Sequence, residues 1–375
     1  MKKILLTIVI PVLFCSFLQD NNLSDYHVST PEDSVTIVFA GDIMGHSPQF
    51  QAAYNAEEKT YNYDICFNNI KPFIESADLA VANLEVTFAG APYSGYPGFS
   101  SPDELADGLK TAGYDILQTA NNHIYDKGKA GMERTLKVLE NRQLKYLGSY
   151  KNQMQRDSLY PLIVDVKGVR FAFLNYTYGT NNSKIQSPNI VNYIDTVLIK
   201  KDIQKAKLKN SDFIIFTVHW GAEYKTSAGP GQRNLARMLS REGVSLIIGA
   251  HPHVIEDAET LETNLHSQCP VFYSLGNSIS NQREIDTNGG LMVKATFSTK
   301  YKSITNTTIL PVYVHKGILN GKYQYHLIPT SDYITHPGKY NISGVDSLSL
   351  IEFDKRTRER IPDFNVDPFF ITSDR

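Results

Sequence analysis

The chain has 375 residues, enough to bury the core of one large α/β domain or of two smaller ones. Lysine and arginine (37) almost balance aspartate and glutamate (39), leaving a formal net charge of −2. That balance gives no electrostatic basis for binding nucleic acid or an acidic membrane surface.

The N-terminus reads as an export signal over residues 1–18. Lys2 and Lys3 precede the apolar stretch Ile4 to Phe14, which is too short to span a bilayer. Cys15 stands where a bacterial lipoprotein carries its lipidated cysteine, although Phe14 is bulkier than the residue usual before it. Lipid anchoring through Cys15, simple secretion and an uncleaved anchor all remain open. The polar segment 19–33 reads as a tether. Cys66 and Cys269 form either one disulfide or two plain buried thiols.

Val35 to Ala40 and Leu79 to Leu84 are short apolar runs that predict buried strands. Ala89 to Ser101, rich in Gly, Pro and Tyr, predicts a surface loop or a substrate flap. A helix follows, with Ser101 as N-cap, Pro102 in the first turn, Glu104 completing a capping box and Gly113 as the stop. Tyr114 to Thr119 is the next strand. Lys129 to Asn141 carries an apolar stripe of Met132, Leu136 and Leu139. Leu162 to Val166 and Val169 to Tyr176, joined by Lys167-Gly168, predict a hairpin.

Further along, Ile194 to Leu208 and Gln232 to Arg241 are helical. Asp212 to Val218, Ser245 to Ile248, Val271 to Leu275, Leu291 to Phe297, Val312 to Val314 and Tyr325 to Ile328 are strands. Helices alternate with strands early and strands dominate late, the pattern of a four-layer α/β/β/α sandwich over 34–330. From Ser331 to the end the chain turns polar and predicts a loosely packed tail.

Five apolar runs end abruptly in polar residues: Asp42, Glu85, Asn122-His123, His219 and His251-Pro252-His253. Carboxyl ends of strands in open α/β sheets open into the ligand crevice. Oxygen and imidazole donors of this kind suit divalent metals such as Mn, Fe, Zn or Mg. His251 and His253 would face one site if the segment is extended, with Pro252 fixing the spacing. Asp42 and Glu85 would repel in one crevice unless cations lay between them, and a metal pair ~3.5–4 Å apart resolves that. Asn122 offers an amide oxygen as a ligand. His123 would then face substrate as general acid, oriented by Asp126. Trp220, Glu223, Tyr224 and Asn277 are candidates for lining the substrate crevice. His46 is either an added donor or a turn residue. A nucleophile elbow, a P-loop and a dinucleotide fingerprint are all absent from the sequence.

The segments Ala40-Gly41-Asp42-Ile43-Met44, Ala82-Asn83-Leu84-Glu85, Ala120 to Gly128, His219 to Tyr224, Gly249 to His253 and Tyr273 to Asn277 resemble the poly-γ-glutamate capsule biosynthesis proteins of the CapA type. That family is similar to the calcineurin-like metallophosphoesterases. The resemblance implies a metallophosphatase-like sandwich and a two-metal site. In it Asp42, Glu85, Asn122, His219, His251 and His253 are ligands, Glu85 bridges, and His123 is the catalytic histidine. Met44 departs from the pattern, standing where those enzymes place a histidine, so one metal position is a ligand short. Glu85 departs too, being one methylene longer than the usual aspartate.

The function implied is an exported cell-envelope protein of capsule or polyanion biosynthesis. It would perform metal-assisted hydrolysis or transfer at a phosphoester or glutamyl amide. Its partners would be an anionic polymer or phosphoester substrate and other capsule-synthesis or membrane proteins. The rival reading is a non-catalytic accessory that uses metals to hold or export a polyanion.

Overall fold

Strand Ser34–Ile43 frames the molecule. Ile37 and Phe39 enter one apolar core and Val38 and Ala40 another, the two-residue alternation of a strand buried on both faces. Parallel strands Leu79–Leu84, Ile116–Gln118 and Lys145–Leu147 extend one side of it. Antiparallel strands Gly289–Ser298, Ile304–Leu319 and Lys322–Pro329 extend the other. Asn277–Ile279 lies parallel to the end of Ser34–Ile43 and sets Asn277 opposite Asp42. A second sheet runs in the order Ala258–Glu262, Gln268–Phe272, Leu246–Ala250, Phe213–His219, Val169–Thr177 and Leu162–Val166, its middle four strands parallel. The computed structural model describes residues 33–181, 184–264, 267–319 and 321–372.

The two sheets pack face to face. Phe297 of the first meets Phe171 and Phe213 of the second edge-on, with ring centroids 5.0 and 4.8 Å apart. Each such fully buried ring contributes roughly 1.5–3 kcal/mol relative to exposure. Helices Glu104–Ala112 and Gly128–Asn141 cover the outer face of the first sheet. Thr196–Leu208 and Pro230–Arg241 cover that of the second. The architecture is the four-layer α/β/β/α sandwich that the alternation of elements predicts. Among the described residues no helix is long and apolar enough to cross a membrane. The expected signal 1–18, Cys15 and nearly all of the expected tether lie outside the described residues.

Local chemistry explains most boundaries. Lys167 and Gly168 both adopt positive φ (47° and 75°), the conformation of a two-residue hairpin turn. Asp195 caps Thr196–Leu208 by accepting from Val197 N and Leu198 N at 2.8 and 3.0 Å. Gly113 ends its helix in the left-handed region, as predicted. The N-terminus of that helix differs from the expectation. It starts at Glu104, and the buried Ser101 hydroxyl finds no partner among the described residues. The Ser101 backbone instead pairs with Thr87.

Two expectations need correction. The segment from Ser331 is not a loose tail, because helix Gly344–Arg360 buries Leu350, Phe353 and Thr357 at intervals of three and four residues. Leu350 and Phe353 join the core between the sheets, and Val366 bridges to Ile309. The polar composition there belongs to the helix's outer face. The disulfide alternative also fails. Cys66 and Cys269 are both free and buried in separate cores, where burial pushes each thiol up to about 12.

Candidate metal centre

Both sheets deliver polar residues to one crevice. Gly41 and Gly249, each just before a delivered residue or turn, lie against the segment 273–276. A Cβ would come 2.0 Å from Gly276 O at Gly41 and 1.8 Å from Tyr273 O at Gly249. Only glycine permits that approach. Asp42 then sits at a register irregularity of its strand, and Glu85 follows directly on Leu79–Leu84.

Asp42, Glu85, Asn122, His219, His251 and His253 converge, and all are buried. Their donors fall into two groups that share Glu85. One is Asp42, Glu85 and His253, and the other is Glu85, His219 and His251. Asn122 Oδ1 lies 2.8 Å from His219 Nε2, which adds it to the second group. His253 Nδ1 lies 3.1 Å from Asp42 Oδ2, and His219 Nε2 lies 3.4 Å from Glu85 Oε1.

This donor set fits a pair of cations. Glu85 Oε1 and His251 Nδ1 are buried with no hydrogen-bond partner among the described residues. Orphaned polar atoms at such a depth need an explanation, and a shared cation supplies one. Burial first, and then Asp42, push the Glu85 carboxyl well above its ordinary range. Burial and the neighbouring imidazoles hold His219 well below its usual value and His251 at about 4. Both imidazoles are therefore neutral at physiological pH, the state that ligates.

The His-Pro-His segment arrives by a route the sequence did not indicate. The strand ends at Ala250, and His251 and His253 both take positive φ (102° and 59°). The two rings do not share a face through β alternation. A tight turn sends His251 to one group and His253 to the other. Non-glycine residues in this region are strained and persist only where the surroundings over-determine them.

His123 stands beside the cluster. Its Nδ1 lies 2.7 Å from Asp126 Oδ2. A carboxylate oxygen accepts, so this contact takes an Nδ1 proton and leaves Nε2 as the nitrogen turned away from Asp126, with Asn181 Nδ2 also 3.2 Å from Nδ1. Met44 is buried in the outer core, so it offers nothing to the Asp42 group. His46 caps helix Ser47–Ala53: its N–H donates to Gln49 Oε1 at 2.8 Å, and its Nδ1 receives Asn281 N at 3.3 Å.

The four substrate candidates part company. Glu223 and Tyr224 are exposed at the crevice rim, with the Tyr224 ring 6.3 Å from His253. Trp220 is buried and looks away from the crevice. Its indole N–H donates to Tyr273 O at 2.8 Å, and it lines an apolar cavity of about 640 Å³ with Leu235 and Met238. Asn277 is fully buried and supports the turn by donating to His253 O at 3.2 Å.

Sequence reasoning missed several neighbours. Asn83 Nδ2 ties the carboxylates, donating to Asp42 Oδ1 at 2.8 Å and to Glu85 Oε2 at 3.2 Å. Its place two residues before Glu85, at the end of the same apolar run, was a usable signal. Asn181 contacts both Asn122 and His123 at 3.2 Å. The half-exposed Tyr178 stacks on His219 at 6.2 Å and meets His251 at 4.6 Å. Nothing in their own sequence marks these two.

Facing sheets that present a shared carboxylate among Asp, Asn and His donors make this a four-layer α/β sandwich with a candidate two-metal centre. Residues 36–282 match the model of the bacterial capsule synthesis protein PGA_cap, and the chain belongs to that family. It is 27% identical over 299 residues to the capsule biosynthesis protein CapA of Bacillus anthracis, covering 76% of this chain and 69% of that one. It is 26% identical over 330 residues to the PGA biosynthesis protein CapA of Bacillus subtilis (strain 168), covering 83% and 80%. Among solved structures it is similar to the NAD nucleotidase of Haemophilus influenzae, at 13% identity and a TM-score of 0.48, over 89% of this chain and 57% of that one. It is also similar to the calcineurin-like phosphoesterase YfkN of Bacillus subtilis, at 12% identity and a TM-score of 0.40, over 87% and 97%.

Proposed function

We propose that this protein performs metal-dependent hydrolysis or transfer at a phosphoester or γ-glutamyl amide during assembly of a capsule polyanion. The observation that carries the reading is the sharing of Glu85 by two buried donor groups, with His123 beside them and engaged by Asp126 instead. Asp42, Glu85 and His253 would hold one divalent ion, and Glu85, Asn122, His219 and His251 the other. Such ions polarise the scissile group and acidify water at neutral pH. His123 would take a proton from solvent at Nε2 and pass it to the leaving group, while its Nδ1 proton stays on Asp126, whose carboxylate stabilises the imidazolium. Half-exposed Tyr178 and exposed Tyr224 offer hydroxyl donors on the substrate side.

The place of action is the cell envelope, reached through the signal 1–18 and held by Cys15 if it is lipidated. Fractionation of the full chain and of a Cys15→Ser variant tests this part separately. The chemistry is tested on purified protein with Mn²⁺, a chromogenic phosphodiester and poly-γ-glutamate. Turnover that depends on metal supports the reading. Bound metal with no turnover of either substrate hands the site to a non-catalytic role in holding or exporting polyanions.

A further inference from the structure

Phe99 is fully buried although it lies in the irregular segment 89–101. Its backbone is held at both ends. Phe99 N donates to Asp126 Oδ2 at 2.9 Å, and Phe99 O accepts from Thr87 Oγ1 at 2.5 Å. Thr87 is two residues beyond Glu85, so one residue links the shared carboxylate's segment to the His123–Asp126 pair. The Phe99 ring stands edge-on to His123 at 4.7 Å and to His46 at 5.4 Å. The rest of the segment is fastened too. Ser94 and Ser100 exchange backbone hydrogen bonds at 3.0 and 2.8 Å. Gly95 N donates to Ser47 Oγ, and a Cβ at Gly95 would come 2.5 Å from Ser47 N.

We propose that Phe99 is a positioning residue for His123, and that segment 89–101 is the brace that sets which imidazole nitrogen faces the crevice. Asp126 Oδ2 accepts from Phe99 N as well as from His123 Nδ1, and two donors hold the carboxylate in one rotamer. The bond at Nδ1 fixes the tautomer, and the ring edge fixes the imidazole plane and keeps water from competing for Asp126. A residue that merely filled the core would affect stability alone. The use made of Nε2 rests on the hydrolase reading, whereas the positioning itself does not.

The test is the ¹⁵N spectrum of histidine-labelled full-length protein, metal-free and with Mg²⁺, with His123 assigned by loss of its signals in His123→Gln. At a pH where the ring is neutral, the parent should show the His123 proton on Nδ1. Phe99→Leu, which keeps most of the apolar volume, should show the two tautomers averaged. Thr87→Val, which frees the Phe99 carbonyl without changing shape, should show the same to a smaller degree and serves if Phe99→Leu does not fold. On the chromogenic phosphodiester, kcat should fall by ~10–10² with KM unchanged. A single Nδ1-protonated tautomer in the folded variants overturns the proposal. If the parent turns over no substrate, only the hydrolase reading fails, and the spectra alone decide the positioning.

Discussion

Glu85 is the residue on which both halves of the centre depend, since each donor group includes it. Glu85→Gln should therefore empty both positions. Asp42→Asn should remove one ion and spare the Asn122, His219 and His251 side. Metal analysis of the purified variants distinguishes these patterns, and equal loss in both would refute the sharing. His123 and His251 should separate in the same way. His123→Ala should keep its metal while turnover falls by ~10²–10⁴, the usual share of a general acid, and His251→Ala should lose metal. Glu256, three residues past His253, gives a pH test independent of metal. It is 1% exposed, and burial pushes its carboxyl up to about 7 from 4.5. Between those values the native state binds the proton and the unfolded state does not, so stability falls as pH rises. Glu256→Gln keeps an acceptor for Gln232 Nε2, 2.7 Å away. It should match the parent near pH 4 and be more stable at pH 8, by up to about 3 kcal/mol from the difference of 2.5 between the two values. Equal urea midpoints at pH 8 would count against a buried, ionised Glu256.

Among the elements, the C-terminal helix Gly344–Arg360 bears on the site most directly. Arg360 Nη1 donates to Ile255 O at 2.9 Å, two residues beyond His253, and Arg360 and Arg356 both bind Asp286. Arg360→Ala removes charge-assisted bonds worth about 1.5–3 kcal/mol and frees the carbonyl behind the His-Pro-His turn. Metal affinity should drop while circular dichroism stays unchanged. Leu350→Ala, deep in the core between the sheets, should instead lower global stability by ~2–5 kcal/mol with metal content retained. This helix also marks where the sequence ceased to be legible. Buried strands such as Phe213–His219 are legible because apolar runs have few alternatives, and the hairpin turn because Gly168 suits positive φ. The donors were legible because each interrupts an apolar run. The helix was not, because its two core residues, Leu350 and Phe353, are followed by a charged run that dominates the composition. Phe99, Tyr178 and Asn181 were not, because their roles arise only where distant loops fold back on the strand ends. The strain at His251 and His253 likewise comes from tertiary contacts that override the extended preference of residues around proline.

At the scale of the whole molecule, the donors are divided between the sheets by chemical type. Asp42, Glu85 and Asn122 follow strands of the first sheet, and His219, His251 and His253 follow strands of the second. One side carries the negative charge and the other only neutral rings, so neither sheet alone offers a balanced site. A cation between them is a cross-link across the face-to-face interface. Binding to the native state alone stabilises it by RT ln(1 + [L]/Kd), about 2.7 kcal/mol per site at a hundredfold excess over Kd. Chelation should therefore lower the melting temperature, and restored metal should raise it in proportion to ions bound. Hydrogen exchange locates the effect. With EDTA, amides of 42–46 at the end of the first sheet's strand and of 250, 251 and 253–256 at the end of the second's should quicken together, while those around Phe171, Phe213 and Phe297 at the far end of the interface stay protected. Quickening confined to one of the two segments would mean that the ions belong to one sheet and do not join them.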